Sequence, residues 1–261
     1  MGWPYQQKPP MGWPLDYDSG LVPDAGFWPM LTGSGNTIQD LSGNGIVGTF
    51  VNDTSWVAGQ NGYALNLDGN DDYIDLGSSL QFTSEDFTVI IKVTPFEEVY
   101  AVLIGNREFN VYGWGLEIQG GGNNRVVFYT TQSGAEQEIL SVNDFFAANE
   151  TSVFAVVRKG SVGSIYKNGV EAPSYVARPS LIDPVTPPVS TKIGVYFNGI
   201  DGDLLGQIEY VYVFNRSLSA SEIAQLYAYP FCMYKDPAEV VIQSGISMAA
   251  YYYRRLLAGA A

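Results

Sequence analysis

Four oxygen-bearing side chains fall within five positions at Asp68, Asn70, Asp71 and Asp72. Carboxylate and amide oxygens at that density suit a hard cation such as calcium. The same residues also suit an Asx-rich hairpin turn, in which side chains accept from their own backbone. Sugar recognition needs aromatic platforms beside amides and carboxylates on loops. Asn110, Tyr112, Trp114, Asn123 and Asn124 form one such mixture, and Tyr196, Asn198 and Asp201 form another. Nucleophilic and acid–base chemistry is poorly supplied. The chain has no histidine, which removes His-based triads and nearly all zinc sites. Cys232 is the single cysteine, so no intrachain disulfide forms, and no histidine is present to activate its thiol.

The net charge of −14, from 27 acidic and 13 basic residues, argues against a nucleic acid partner, which requires a basic footprint. Hydrophobic residues make up 46% and aromatics 14% of the 261 residues. That composition is globular, and the length suits one domain of about 200 residues with tails.

The elements that would position these residues read as strands. Phe87, Val89, Ile91 and Val93 alternate along Phe87–Pro95 and define one face. Further strands are expected over Val99–Ile104, Trp114–Ile118, Arg125–Thr130, Ser152–Arg158 and Ser164–Val170, with Asn168-Gly169 as a hairpin turn. Four prolines in residues 179–190 make that stretch an irregular loop. Ser219-Ala-Ser-Glu222 is a capping box that starts a short helix, ended by Pro230. Asp236-Pro237 marks a second helix start.

Three regions follow: an extended arm over 1–20, a domain over 21–230 and a helical tail over 231–261. The arm repeats Met-Gly-Trp-Pro at 1–4 and 11–14. Its Trp3, Tyr5, Trp13 and Tyr17 are costly to leave in water, so it is expected either to fold back or to clamp a neighbouring subunit. The N-terminus lacks the apolar core of a signal peptide, and the apolar part of the tail is too short to span a bilayer.

The order of four segments carries a resemblance. Asp40-Leu-Ser-Gly-Asn-Gly-Ile-Val-Gly48 precedes Ala64-Leu-Asn-Leu-Asp-Gly-Asn-Asp-Asp-Tyr-Ile-Asp-Leu-Gly77. Lys192-Ile-Gly-Val195 and Gly206–Ile223 answer them downstream. Together they resemble the laminin-G-like, concanavalin A-like lectin and glucanase modules over roughly residues 20–229. The resemblance implies an all-β, two-sheet antiparallel jelly roll, here with an N-terminal arm and C-terminal helices. It implies a structural calcium where the Asp40–Asn44 turn meets Glu209. The cluster Asp68, Asn70, Asp71 and Asp72, read from its own oxygen density, is the competing site.

Retaining glycanases of this fold carry Glu-x-Asp-x-Glu along one strand, and no such triplet occurs here. Glu97 and Glu98 are adjacent, Glu108 and Glu117 are far apart, and Asp201 and Asp203 sit in a glycine-flanked loop. The protein is therefore expected to be non-enzymatic. The leading expectation is a virion or surface-assembly component, such as a phage head decoration or fibre protein, which oligomerises or contacts neighbouring subunits through arm and tail. The alternative is a secreted module that binds surface glycans, and a glycoside hydrolase comes last.

Overall fold

Alternation within strands carries the architecture. The computed structural model describes residues 5–173, 175–177 and 180–235. In chain order the strands are β1 (Gly26–Trp28), β2 (Thr37–Ile38), β3 (Gly48–Val51), β4 (Ser55–Gly59), β5 (Gly62–Asp68) and β6 (Tyr73–Asp75). They continue with β7 (Phe87–Pro95), β8 (Ala101–Gly105), β9 (Trp114–Gln119), β10 (Arg125–Gln132), β11 (Ala135–Ser141) and β12 (Ser152–Lys159). The last are β13 (Val162–Lys167), β14 (Val170–Glu171), β15 (Tyr175–Ala177), β16 (Lys192–Ile193) and β17 (Leu205–Phe214). One helix follows, α1 (Ala220–Ala228).

These strands form two antiparallel sheets. The eight-stranded sheet runs β14-β13-β12-β7-β17-β5-β4, with β1 added on β17. The nine-stranded sheet runs β15-β11-β10-β9-β8-β16-β6-β3-β2. Neighbours so distant in sequence as β7 and β17 are the mark of a jelly roll. The principal core lies between the sheets. Val89, Ile91, Val93, Val211 and Val213 from one meet Ile74, Leu116, Ile118, Val126 and Phe128 from the other.

A second core covers the outer face of the eight-stranded sheet. Ile90, Tyr210, Tyr212 and Phe214 pack there under Ile223 and Leu226 of α1 and under Phe231, Met233 and Tyr234. Strand β7 is thus buried on both faces apart from Thr94, which explains its nearly continuous apolar run. Helix α1 starts on a complete capping box: the Ser219 hydroxyl accepts from the Glu222 amide, and the Ser219 amide donates to Glu222 at 2.8 Å. The turn at Asn168 and Gly169 has φ of 52° and 82°, as a two-residue hairpin requires.

The arm lies on its own domain. Trp13 and Leu15 pack half-buried against the second core. Leu15 bridges to Tyr234, the Phe231 amide donates to Tyr5, and Lys235 pairs with Asp16 at 2.8 Å. Residues 5–20 therefore do not project as a clamp. Of the aromatics assigned to partner binding, Trp13 is occupied, the Tyr5 carbonyl is bonded, Tyr17 is 68% exposed, and Trp3 lies outside the described residues. The segment 231–235 belongs to the fold, while the helix start at Asp236 and the rest of the tail lie outside the described residues. Among the described residues no helix is long and apolar enough to cross a membrane.

Candidate functional site

The outer face of the nine-stranded sheet carries charge that the sequence reading did not find. On β9, Leu116 and Ile118 enter the core, so Glu117 between them faces outward. On β11, Glu136 and Glu138 alternate with Gln137 and Ile139, and only Ile139 of these enters the core. Glu136 stands opposite Thr131, and Glu138 opposite Tyr129. The face therefore holds several carboxylates, although no Glu-x-Asp-x-Glu triplet runs along one strand.

Arg107 binds two of these acids. Its Nε and Nη2 donate to Glu117 at 2.9 and 3.1 Å, and its Nη1 donates to Glu136 at 2.5 Å. The Thr131 hydroxyl also donates to Glu136. The guanidinium lies 4.0 Å from the Tyr129 ring centre and 5.2 Å from that of Tyr196. Gly115 leaves the necessary room, since a Cβ there would stand 3.0 Å from Glu117. Burial pushes the Glu117 carboxyl upward, and Arg107 opposes this. Glu117 is 0% exposed, so it cannot touch a substrate as acid or nucleophile.

This network runs into two loops. The Tyr100 hydroxyl meets Glu117, and the Tyr100 ring lies against Gly202. The Tyr196 hydroxyl accepts from the Phe109 amide at 2.8 Å, and Tyr112 packs edge-on against Phe197. Asn198 donates to Asp201 at 2.6 Å. The structure thus brings loops 106–113 and 196–203 together, and with them Asn110, Tyr112, Tyr196, Asn198 and Asp201. Phe109, Val111, Tyr100 and Ile200 are exposed in the same two loops or beside them.

Two of the sugar-site residues fall elsewhere. Trp114 is fully buried, with its indole N–H donating to Leu80, so it is core and not a platform. Asn123 lies in the turn after β9, at the far end of that strand, where its carbonyl accepts from Asp144.

At the first expected cation site each residue already has protein partners. Asp40 spends both oxygens on four protein donors: the amides of Phe27, Ser42 and Ile46 and the Ser42 hydroxyl. Asn44 donates to Asp24, Ala25 and Ser42. Glu209, the extra residue of a bulge in β17, pairs with Lys92 at 3.2 Å and accepts from the Asn61 amide. Asp40 thus serves as a turn cap.

A polar cleft of about 500 Å³ opens beside Glu209 between arm and sheet, lined by Gln6, Gln60, Asn61, Lys92, Asn168 and Tyr227. Lys8 of the arm reaches toward the same place. Its ammonium donates to the carbonyls of Met30, Tyr63 and Glu209, and burial pushes it down to about 7. This cleft has amides but little exposed aromatic surface. The loop site has both.

The fold and these loops can be set beside known proteins. The family model of the concanavalin A-like lectin/glucanases superfamily matches residues 68–224, and the chain belongs to that family. Among curated proteins none matches. Among solved structures, domain 4 of AbnA, a GH43 extracellular arabinanase from Geobacillus stearothermophilus, was determined with arabinotriose. It is 19% identical at a TM-score of 0.57, over 72% of this chain and 92% of that one. The binding domain of Paraclostridial Mosquitocidal Protein 1 is 16% identical at 0.59, over 78% and 51%. Trypanosoma rangeli sialidase in complex with sialic acid is 18% identical at 0.56, over 81% and 33%. The chain thus spans about half the toxin domain and a third of the sialidase.

Proposed function

We propose that the protein is a non-catalytic, glycan-binding jelly roll that serves attachment at a surface. The observation that carries this reading is the fixed Arg107–Glu117–Glu136 network beside exposed Tyr100 and Phe109. Sugars bind where flat apolar rings stand beside immobilised donors and acceptors. Asn198 and Asp201 supply hydrogen-bonding groups on the neighbouring loop. Neutralised and buried acids serve positioning, not proton transfer. The relatives solved with arabinotriose and sialic acid support the ligand class, and the toxin binding domain supports the attachment role.

A glycan array probed with the purified chain tests this. Binding to a defined set of glycans is expected, and it is expected to be lost in a Tyr100→Ala/Phe109→Ala double variant that melts like the parent. A blank array removes the glycan function, and undiminished binding by the variant removes the site. Assembly into a virion or homo-oligomer would fall to surfaces other than the packed arm. A monomeric native mass would count against it.

A further inference from the structure

We infer that the cleft between the arm and the outer face of the eight-stranded sheet binds an acidic sugar, held by its carboxylate on Lys92. Ile91 and Val93 enter the core between the sheets, so Lys92 between them faces outward. It stands opposite Val153 of β12 on one side and Tyr210 of β17 on the other, and the three form the floor of the cleft. Gln6 and Gln7 of the arm, Asn61 of the β4–β5 turn, Asn168 of the β13–β14 turn and Tyr227 of α1 wall a volume of about 500 Å³. The arm is what closes this concavity. The Asn61 carbonyl accepts from the Lys8 amide, and the Asn61 side chain donates to the Gln6 carbonyl.

The floor carries positive charge that its neighbours do not cancel. Two ammonium groups, Lys8 and Lys92, stand against one carboxylate, Glu209. Lys92 is 7% exposed. Burial pushes both lysines below their ordinary value, Lys8 to about 7, and Glu209 opposes this. Lys8 spends its protons on the carbonyls of Met30, Tyr63 and Glu209. Lys92 donates to the Asn61 side-chain oxygen and pairs with Glu209, so among the described residues its third proton has no partner. Lys167 and Glu150, next in sequence to Asn168 and Thr151 of the cleft, pair with each other at 2.8 Å and cancel. An anion entering beside Lys92 would favour the charged form of both buried lysines.

The other groups select what bears that anion. One surplus positive charge matches a carboxylate, whereas a phosphate monoester would bring nearly two negative charges beside Glu209. Asn168 spends its side-chain oxygen on the Val153 amide, which leaves its NH2 group as a donor. Gln6 and Gln7 are exposed amides that can give or take a bond, as sugar hydroxyls require. Val153, Tyr210 and Tyr227 supply apolar contact for the C–H face of a sugar ring. The cleft lies on the sheet opposite to loops 106–113 and 196–203, and the inference does not rest on the site proposed there.

Nuclear magnetic resonance titration of the 15N-labelled full chain at pH 6, below the value for Lys8, tests the site. Sodium glucuronate is expected to shift the side-chain amides of Asn168 and Gln7 with a Kd of about 1 mM. Glucose, which lacks the carboxylate, is expected to bind at least about tenfold more weakly. Lys92→Met/Glu209→Gln removes both members of the ion pair and should bring glucuronate down to the level of glucose. Should that variant fail to fold, Gln7→Ala/Tyr227→Ala on the exposed wall replaces it and is expected to weaken glucuronate about fivefold. Equal binding of glucuronate and glucose overturns the inference, and so does the absence of shifts at these amides. Shifts confined to loops 106–113 and 196–203 would move glucuronate to the other site and overturn this one. Binding of acetyl-trialanine as tight as that of glucuronate overturns the sugar as the bearer of the carboxylate.

Discussion

Arg107 decides the character of the outer face of the nine-stranded sheet. It is 6% exposed and supplies the only ion pairs made by Glu117 and Glu136 among the described residues. Removing one partner of a buried pair strands the other charge, whereas replacing both by neutral groups of similar shape costs much less. Arg107→Ala is therefore expected to lower unfolding free energy by about 3–5 kcal/mol. The double Arg107→Met/Glu117→Gln variant should recover most of that loss. Urea denaturation at pH 7 reads both. If the double variant is as unstable as the single one, the stranded charge is not the cause. Cys232 makes the opposite point, since burial pushes its thiol up to about 11. Iodoacetamide at pH 8 should label it slowly in the native chain and quickly in urea. Rapid native labelling would contradict a packed, inert thiol.

At the scale of elements, α1 shows how a local sequence rule becomes a pH dependence. Ser219→Ala removes the acceptor for the Glu222 amide and should cost about 1 kcal/mol. Bonds from Arg216 and Ser219 hold the Glu222 carboxyl down at about 2, below the usual 4.5. A depressed acid contributes stability above its unfolded value and loses it as pH falls toward the folded one. The window is thus about pH 4.5 to 2, and Glu222→Gln should flatten the fall in melting temperature across it. An identical acid profile in the variant would sink this assignment.

This cap was legible in Ser219-Ala-Ser-Glu222 because it needs only four contiguous residues. Strand β7 was legible from Phe87, Val89, Ile91 and Val93 in the same way. Strand β11 was not, since Ala135-Glu-Gln-Glu138 contains good helix formers and shows its outward alternation only beside β10. That is why Glu136 and Glu138 escaped notice. Trp114 was misread for the converse reason. An aromatic beside glycines looks like a loop platform, yet β9 turns it into the core.

For the whole molecule, the two ends of the described chain close one surface together. The arm and residues 231–235 lie side by side, joined by bonds from Asp16 to Met233, Phe231 to Tyr5 and Lys235 to Pro14. Beneath them Phe27, Tyr210 and Tyr212 would face water on the outer side of the eight-stranded sheet. The Lys8 ammonium is lodged among three carbonyls. If residues 1–16 were a clamp for a neighbour, deleting them would leave a domain that melts as before. The packing argues otherwise, because the deletion strips Trp13 and Leu15 from the second core, removes Lys8 from its carbonyls and uncovers contiguous aromatic surface. The truncated chain is expected to melt several degrees lower, to bind a hydrophobic dye and to aggregate sooner. Glycan binding at the far sheet should survive below the new midpoint, since loops 106–113 and 196–203 make no described hydrogen bond to the arm. Unchanged melting without dye binding would mean that the arm rests on the domain without stabilising it, and would return Trp13 to the role of a contact for another chain.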